Sequence, residues 1–458
     1  MAESQQSAQN QGLRNPAGSI WLVFYVMAII STILSEYYPV PSLKYVPIAI
    51  FSTGLLLTTG FWIGKRSGQI AIVTGIASVF LWSSTDLPLA TLATEVAKFN
   101  GTICLLISMP VMRMAFTHSQ LHQEVVDLLG RVAHQRRMNV LLLSSVFTGL
   151  GLSFGTVGVL GASLEGRSTP QAATAGTIMR GIVITMLIAP TTGSVAVVMS
   201  TFPSIEWSDT LKLGIPLALA AFFLGLLQSG HVNVTKNPFE KLGHAGHRRL
   251  GKFALISIAT TLTCHFGLSM SMVSAICSAA LVTGCTWLLL IDHYRVTDFV
   301  RLSDWVLWRS SRQLTPEIAL FLSCGLISVV VREPVWQEQI LTYMSFLNQL
   351  GLIGLSTIVI GVPLLTICGI HPMVPFSILA PIITPANIGL PETSLYTMWI
   401  VVFMLSMLLS PASVLNILTA SSFNMTTWSL SVKAHAIYAA AFAAVGIAVL
   451  YLSSASFN

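Results

Sequence analysis

Pro170, Pro190, Ser200, Phe202, Trp207, Ser208, Lys212 and Gly225 recur as Pro391, Pro411, Ser421, Phe423, Trp428, Ser429, Lys433 and Gly446, every pair 221 positions apart. Aligning 170–226 with 391–447 at that offset needs no gap and gives 12 identities in 57 positions, against about 4 expected by chance. A second register, at an offset of 215, pairs Ile103, Leu105, Ser108 and Val159 with Ile318, Leu320, Ser323 and Val374. Six extra residues around 380–390 reconcile the two offsets. The chain is a duplication, so its architecture must be one that can be built twice.

Where it is built follows from composition. Hydrophobic residues fill 54% of the 458 positions and charged residues 9%, with a mean hydropathy of +0.77, values outside the range of soluble domains. The expectation is an all-α polytopic membrane protein. Stretches 19–35, 44–64, 69–83, 99–116, 171–201, 209–228, 252–268, 269–291, 315–331, 392–420 and 430–452 give about eleven spans, several tilted or broken. The segments 139–166 and 348–385 are apolar but too rich in Gly and Pro for plain helices. The polar first 18 residues give no evident cleavable signal peptide. All six cysteines lie in apolar segments without a CxxC, which argues against disulfides and zinc.

The net charge of +6 orients the chain. With a cytoplasmic N-terminus, eleven spans place Lys65 and Arg66, then Arg131, Arg136 and Arg137, then Lys236 to Lys252, then Arg295 to Arg312 on the cytoplasmic side, as the positive-inside rule requires. The C-terminus is then extracytoplasmic and the membrane a plasma (inner) membrane. Short loops between spans account for these basic runs, and no nucleic acid is expected as a partner.

Six regions follow: a disordered cytoplasmic tail (1–18), first-half scaffold spans and surface arm (19–138), first hairpin with broken helix and final span (139–228), a cytoplasmic linker (229–251), second-half scaffold spans and arms (252–347), and second hairpin with broken helix and final span (348–458). An odd number of spans per half makes the repeats inverted in topology. Leu121, Val125, Leu128 and Val132 form one face of an arm over 117–138, and 292–314 reads as a similar surface helix.

Repeated halves with helices broken near mid-membrane are how many secondary transporters build a site. Irregular backbone at that depth needs protein or a water-filled cavity to satisfy it. Pro190 with Thr191, Thr192 and Ser194, and its mate Pro411 with Ser413 and Asn416, supply freed carbonyls and hydroxyls. Ser153, Gly155 and Thr156 would tip one re-entrant hairpin, and Gly369, His371 and Pro372 the other. Sodium is a candidate coupling ion near Ser153, Thr156, Thr192 and Ser413, with no other cofactor. Arg180, inside the first broken span, is a candidate anion partner, the alternative being an arginine that snorkels to the interface. His371 is placed to contact substrate or carry a proton. His265 and His435 read as structural.

The runs TTGSVAVVMSTFPSIEWSDTLKLGIPLAL and SPASVLNILTASSFNMTTWSLSVKA, and the order arm, hairpin, broken span, final span, resemble the divalent anion/sodium symporter family within the ion transporter superfamily. Asn416 aligns with the Asn of that family's Pro-Pro-Asn segment. Its Ser-Asn-Thr hairpin triplets are absent, with Ser153-Phe-Gly-Thr156 and Ile370-His-Pro in their place. The resemblance implies a homodimer, elevator-type movement and a small organic anion driven by sodium or protons. An inorganic-ion permease or a sodium/proton antiporter on the same scaffold is the second reading, and a non-transporting receptor or scaffold the third. No HExxH and no paired intramembrane carboxylates suggest an enzyme.

Overall fold

In the computed structural model, residues 18–38, 40–121, 123–125, 136–153, 155–164, 171–229, 247–343 and 352–455 are described. They form helices and turns, with no strand among the described residues. In chain order the main helices are α1 (Gly18–Tyr37), α2 (Pro41–Leu57), α3 (Arg66–Trp82), α4 (Leu89–Val96), α5 (Asn100–His118), α6 (Arg137–Leu152), α7 (Gly155–Leu164), α8 (Gln171–Thr185), α9 (Gly193–Thr201) and α10 (Trp207–Ser229). The second half holds α11 (His247–Leu262), α12 (Met272–Thr286), α13 (Val296–Val330), α14 (Pro334–Tyr343), α15 (Leu352–Ile367), α16 (Met373–Leu379), α17 (Glu392–Leu409), α18 (Val414–Phe423) and α19 (Ala434–Ala455). Nearly all of the tail 1–18, most of the linker 229–251 and the middle of the arm 117–138 lie outside the described residues.

The duplication is written into the helix boundaries. α6 and α15 start and end 215 residues apart, and α7 and α16 end 215 apart. α8 and α17 start 221 apart, as do α9 and α18. Both offsets read from side-chain identities are therefore offsets of the backbone.

Among the described residues, five helical stretches are long and apolar enough to cross a membrane alone: Leu89–His118, Trp207–Gln228, Met272–Ile291, Glu392–Phe423 and Ser429–Ser454. The remaining expected spans are shorter or broken elements. The fold is that of an all-α polytopic membrane protein. α6 and α15, at 16 residues each, reach about 24 Å, short of the ~30 Å hydrocarbon layer. That length suits an element that enters and turns back.

One expected boundary moves. The surface helix 292–314 and the span 315–331 form a single 35-residue helix, α13. No glycine lies between Val296 and Ser323 to stop it, and Pro316 sits inside without ending it, as membrane helices tolerate when neighbours satisfy the freed groups. The sharp turn comes later, where α14 departs from α13 at 87°.

α17 and α18 form the centre. The most apolar window of Glu392–Phe423 is 83% buried, against 33% for Trp207–Gln228 and Ser429–Ser454, so the final span of each repeat lies outside and presents apolar surface. Ile437, Phe223 and Leu227 are exposed there, as are Leu56 and Phe80 on earlier helices, a pattern that suits lipid rather than water. Phe376 of α16 packs edge-on against Trp399, 5.2 Å between centroids, and 5.0 Å from Phe403. These rings fasten the second hairpin to the second broken span.

Candidate functional site

Both proline breaks are closed by the same device. Pro190 and Pro411 remove a helical N–H, and two residues later Thr192 and Ser413, which are repeat mates, cap the next half-helix. The Thr192 hydroxyl accepts from the Val195 N–H at 3.4 Å, and that of Ser413 accepts from the Asn416 N–H at 3.2 Å. Capping hydroxyls satisfy donors that a helix start leaves open.

The freed carbonyls are treated differently. Asn416 Nδ2 lies 3.0 Å from the Met407 and Leu408 oxygens, 2.9 Å from that of Ser410 and 3.1 Å from Ser413 Oγ. Ser413 in turn donates to the Met407 oxygen at 2.8 Å. At the first break, Trp207 Nε1 donates to the Ile188 oxygen at 3.1 Å, and Thr191 donates to the Gly149 oxygen of α6 at 3.4 Å. Ser194 is buried one residue into α9. A narrow crevice lined by residues including Pro190, Val195, Trp207 and Tyr396 lies beside this break.

Each hairpin turns through a residue with positive φ. Ser153 takes φ +50° between α6 and α7, and Gly369 takes φ +92° between α15 and α16. Only glycine suits the second position, since a Cβ there would also collide with Nη2 of Arg66. Ser153 and Thr156 are buried, and Gly155 packs on the Arg113 stem of α5.

The first hairpin packs on the half-helix of the second repeat. A Cβ on Gly161 of α7 would sit 2.9 Å from Ser422 Cβ and 3.4 Å from Phe423, so α7 lies directly on α18. Their repeat mates, Phe376 of α16 and Thr201 of α9, face a common cleft without comparable packing between those two helices. Gly161 and Phe376 are 215 apart, Thr201 and Ser422 are 221 apart. The two repeats thus set equivalent residues near one another but pack them differently. The same cleft takes Glu95, Lys98 and Arg332 from α4, the turn after it and the end of α13, and Glu95 bridges Lys98 at 2.5 Å and Arg332 at 3.0 Å.

Arg180 does not snorkel. It is 6% exposed within the fold, donates from Nη2 to the Ala434 oxygen at 3.1 Å and faces the Tyr438 ring at 5.5 Å. No carboxylate pairs with it among the described residues, and its Nε has no hydrogen-bond partner. His435 lies beside it, fully buried with both ring nitrogens unpartnered; a Cβ on Gly176 would lie 3.6 Å from Arg180 Nη2 and 3.5 Å from His435 Cε1. Sequence reading misses this imidazole, because 255 positions separate the two residues. His265, by contrast, is occupied with the Met270 oxygen at 2.9 Å.

His371 is buried at the second hairpin tip. Its Nδ1 accepts from the Met373 N–H at 3.3 Å, and its Nε2 lies 3.6 Å from Oε2 of Glu317 on α13. Pro372 follows as the residue from which α16 starts. Glu317, which sequence reading passed over, also accepts from Ser67 Oγ of α3 at 2.7 Å.

The predicted residues thus fall into three groups: the breaks with Thr191, Thr192, Ser194, Ser413 and Asn416; the tips with Ser153, Gly155, Thr156, His371 and Pro372; and Arg180 with His435 and Tyr438. Among the hydroxyls named for sodium, Ser413 is committed to internal bonds, whereas Thr156 Oγ1 is buried without a partner. Among the described residues no cluster of three or more His, Cys, Asp or Glu could hold a metal.

No protein-family model and no curated protein matches the chain. Solved structures do. The chain is similar to the YdaH transporter of Alcanivorax borkumensis, with a TM-score of 0.56 and 11% identity over 83% of this chain and 96% of that one. It is similar also to MtrF of Neisseria gonorrhoeae, described with a class of antimetabolite efflux pumps, with a TM-score of 0.52 and 12% identity over 95% and 94%. At this identity the likeness is one of fold, and it places the chain in the same all-α membrane architecture as these two proteins.

Proposed function

We propose that the protein is a secondary active transporter that moves a small organic, carboxylate-like anion, coupled to sodium or protons. The observation that carries this reading is the pair of proline breaks, capped by repeat mates, with the first hairpin packed on the half-helix of the second repeat. Such a pair brings half-helix N-termini and freed carbonyls to one level. Buried polar atoms without partners, at Thr156, Asn416 Oδ1, Arg180 Nε and His435, are groups a polar solute would satisfy. An unpaired buried guanidinium favours an anion. The shared fold with YdaH and MtrF, both described as transport proteins, supports the same reading.

In the mechanism, the scaffold consists of α1 to α5 and α11 to α14, and the hairpins, broken helices and final spans move against it as in an elevator. Ser153, Gly155, Thr156, Thr191, Thr192, Ser194, His371, Pro372, Ser413 and Asn416 line the path, and Arg180 attracts the anion. The transporter is a homodimer of the inner membrane with its N-terminus cytoplasmic and its C-terminus outside, kin to the divalent anion/sodium symporters. One observation favours an inorganic-ion permease or sodium/proton antiporter, the buried carboxylate of Glu317. It stands outside the broken spans, which keeps that reading second.

The test is thermal-shift screening of the purified protein against carboxylates, sulfonates and inorganic anions, with and without sodium. A ligand at about 100 times its Kd stabilises by about 2.7 kcal/mol, so a carboxylate should raise the melting temperature by several degrees. The hit is then assayed for uptake into proteoliposomes. A carboxylate that binds but never crosses would turn the assignment from transporter to receptor.

A further inference from the structure

The interface between scaffold and second hairpin holds a polar cluster that joins His371 of the proposed path to Ser67 and Glu317, which lie outside that path. Ser67 comes from α3, Glu317 from α13 and His371 from the hairpin tip, and all three are buried. Ser67 Oγ donates to Oε1 of Glu317 at 2.7 Å, and Oε2 faces His371 Nε2 at 3.6 Å. The charged and titratable groups around them among the described residues are Arg66, whose guanidinium lies on Gly369, Cys368 in the same turn, which is exposed, and Cys324 two turns along α13, which is buried.

We propose that Glu317 and His371 form the proton-binding site of the transporter and a latch that holds the second hairpin to the scaffold while Glu317 is ionised. This rests on the transport reading and specifies protons as the coupling ion. The chemistry follows from the ring's orientation. Because Nδ1 accepts the Met373 N–H, the neutral imidazole carries its hydrogen on Nε2, which has no hydrogen-bond partner and faces the Glu317 carboxylate at 3.6 Å. A proton arriving from water is then taken by the carboxylate, since on the ring it would oppose Nδ1–H to a backbone N–H. Once neutral, Glu317 no longer attracts the Nε2–H dipole as an anion, and the electrostatic attraction across the interface is weakened. The hairpin is freed with the proton aboard, and loss of that proton to the other side restores the latch.

Cys368 is exposed with the latch closed, so the buried hairpin tip around Met373 and Phe376 reports its release. Deuterium labelling of the backbone amides of residues 373–379, read by peptide mass, is compared between wild type and Glu317→Gln at the same pH, so that the intrinsic pH dependence of exchange cancels. The ratio of wild-type to variant rate should be near one where Glu317 is protonated and fall about tenfold as the pH rises through its titration. A ratio that is flat with pH overturns the proposal. If Glu317→Gln does not fold, Ser67→Ala serves, because removing a donor to the carboxylate makes it easier to protonate and moves the release of the hairpin to higher pH; an unmoved midpoint is equally fatal. Proteoliposome uptake of radiolabelled succinate under an imposed pH gradient separates this idea from its foundation. Uptake without any effect of Glu317→Gln on gradient-driven accumulation sinks the proton site alone, and pH-gated labelling with no anion crossing sinks the transport reading alone.

Discussion

The two proline breaks are the same motif solved in two ways. At the second, Asn416 reaches back from the first turn of α18 to the carbonyls of Met407, Leu408 and Ser410, so the break is tied by its own chain. At the first, the repeat mate of Asn416 is Val195, which offers nothing, and other elements hold the break: Trp207 at the start of α10 and the Gly149 oxygen in α6. A break tied internally keeps its shape wherever its surroundings move. One tied to neighbours depends on their positions, which makes the first break the more responsive of the two.

The largest effect should come from cutting the internal tie. Without Asn416 Nδ2 the Met407 and Ser410 oxygens keep Ser413 as a donor, while the Leu408 oxygen loses its donor, at about 1–3 kcal/mol. Asn416→Ala should therefore lose about 1–3 kcal/mol and show it as an early melt by fluorescence-detected size exclusion. If the variant melts with wild type, the second break is not self-supporting and the contrast collapses.

Next comes the charge that only one half carries. Arg180 in α8 has Val401 as its mate, and its guanidinium is unpaired by any carboxylate among the described residues. Arg180→Gln should reduce proteoliposome uptake about tenfold or more, while Arg180→Lys keeps part of it because charge survives and the planar fork is lost. Equal KM values in wild type and both variants would move anion recognition to His371 and the backbone amides.

A smaller effect tests the external tie. Trp207→Phe deletes the donor to the Ile188 oxygen while keeping most of the ring, and should cost about 0.5–1.5 kcal/mol in a thermal melt. Its repeat mate Trp428 is 49% exposed, so Trp428→Phe should be silent. Equal losses at the two positions would mean that both breaks lean on their final spans.

These contrasts also show what could be read from the chain. Pro190, Pro411 and the shared offset locate both breaks, and Gly-rich 139–166 and Gly369 locate both hairpins, because prolines and glycines act on the backbone where they stand. Glu317 was not legible. It follows Pro316 at a point that reads as the seam between a surface arm and a span, and only the continuous helix α13 carries it to His371 and Ser67. His435 beside Arg180 was hidden for a related reason: side chains 255 positions apart meet through packing between repeats, which no local pattern encodes.

The smallest prediction compares the caps themselves. Thr192 accepts a single long bond of 3.4 Å from Val195, whereas Ser413 accepts from Asn416 and also donates to the Met407 oxygen. Replacing a capping hydroxyl costs about 0.5–2 kcal/mol, and the long bond places Thr192→Val near the lower end. Ser413→Ala removes the cap and the donor together, which adds the cost of a buried carbonyl left with fewer partners. The two substitutions, made at equivalent positions of one duplicated motif, should thus differ in melting temperature, with Ser413→Ala the lower. If Thr192→Val proves the more damaging, its hydroxyl does something at the first break that the cap bond does not account for, and the natural reading would be a bound solute or ion. Uptake measured on the same variant, with the sodium and proton gradients imposed separately, would say which of the two it holds.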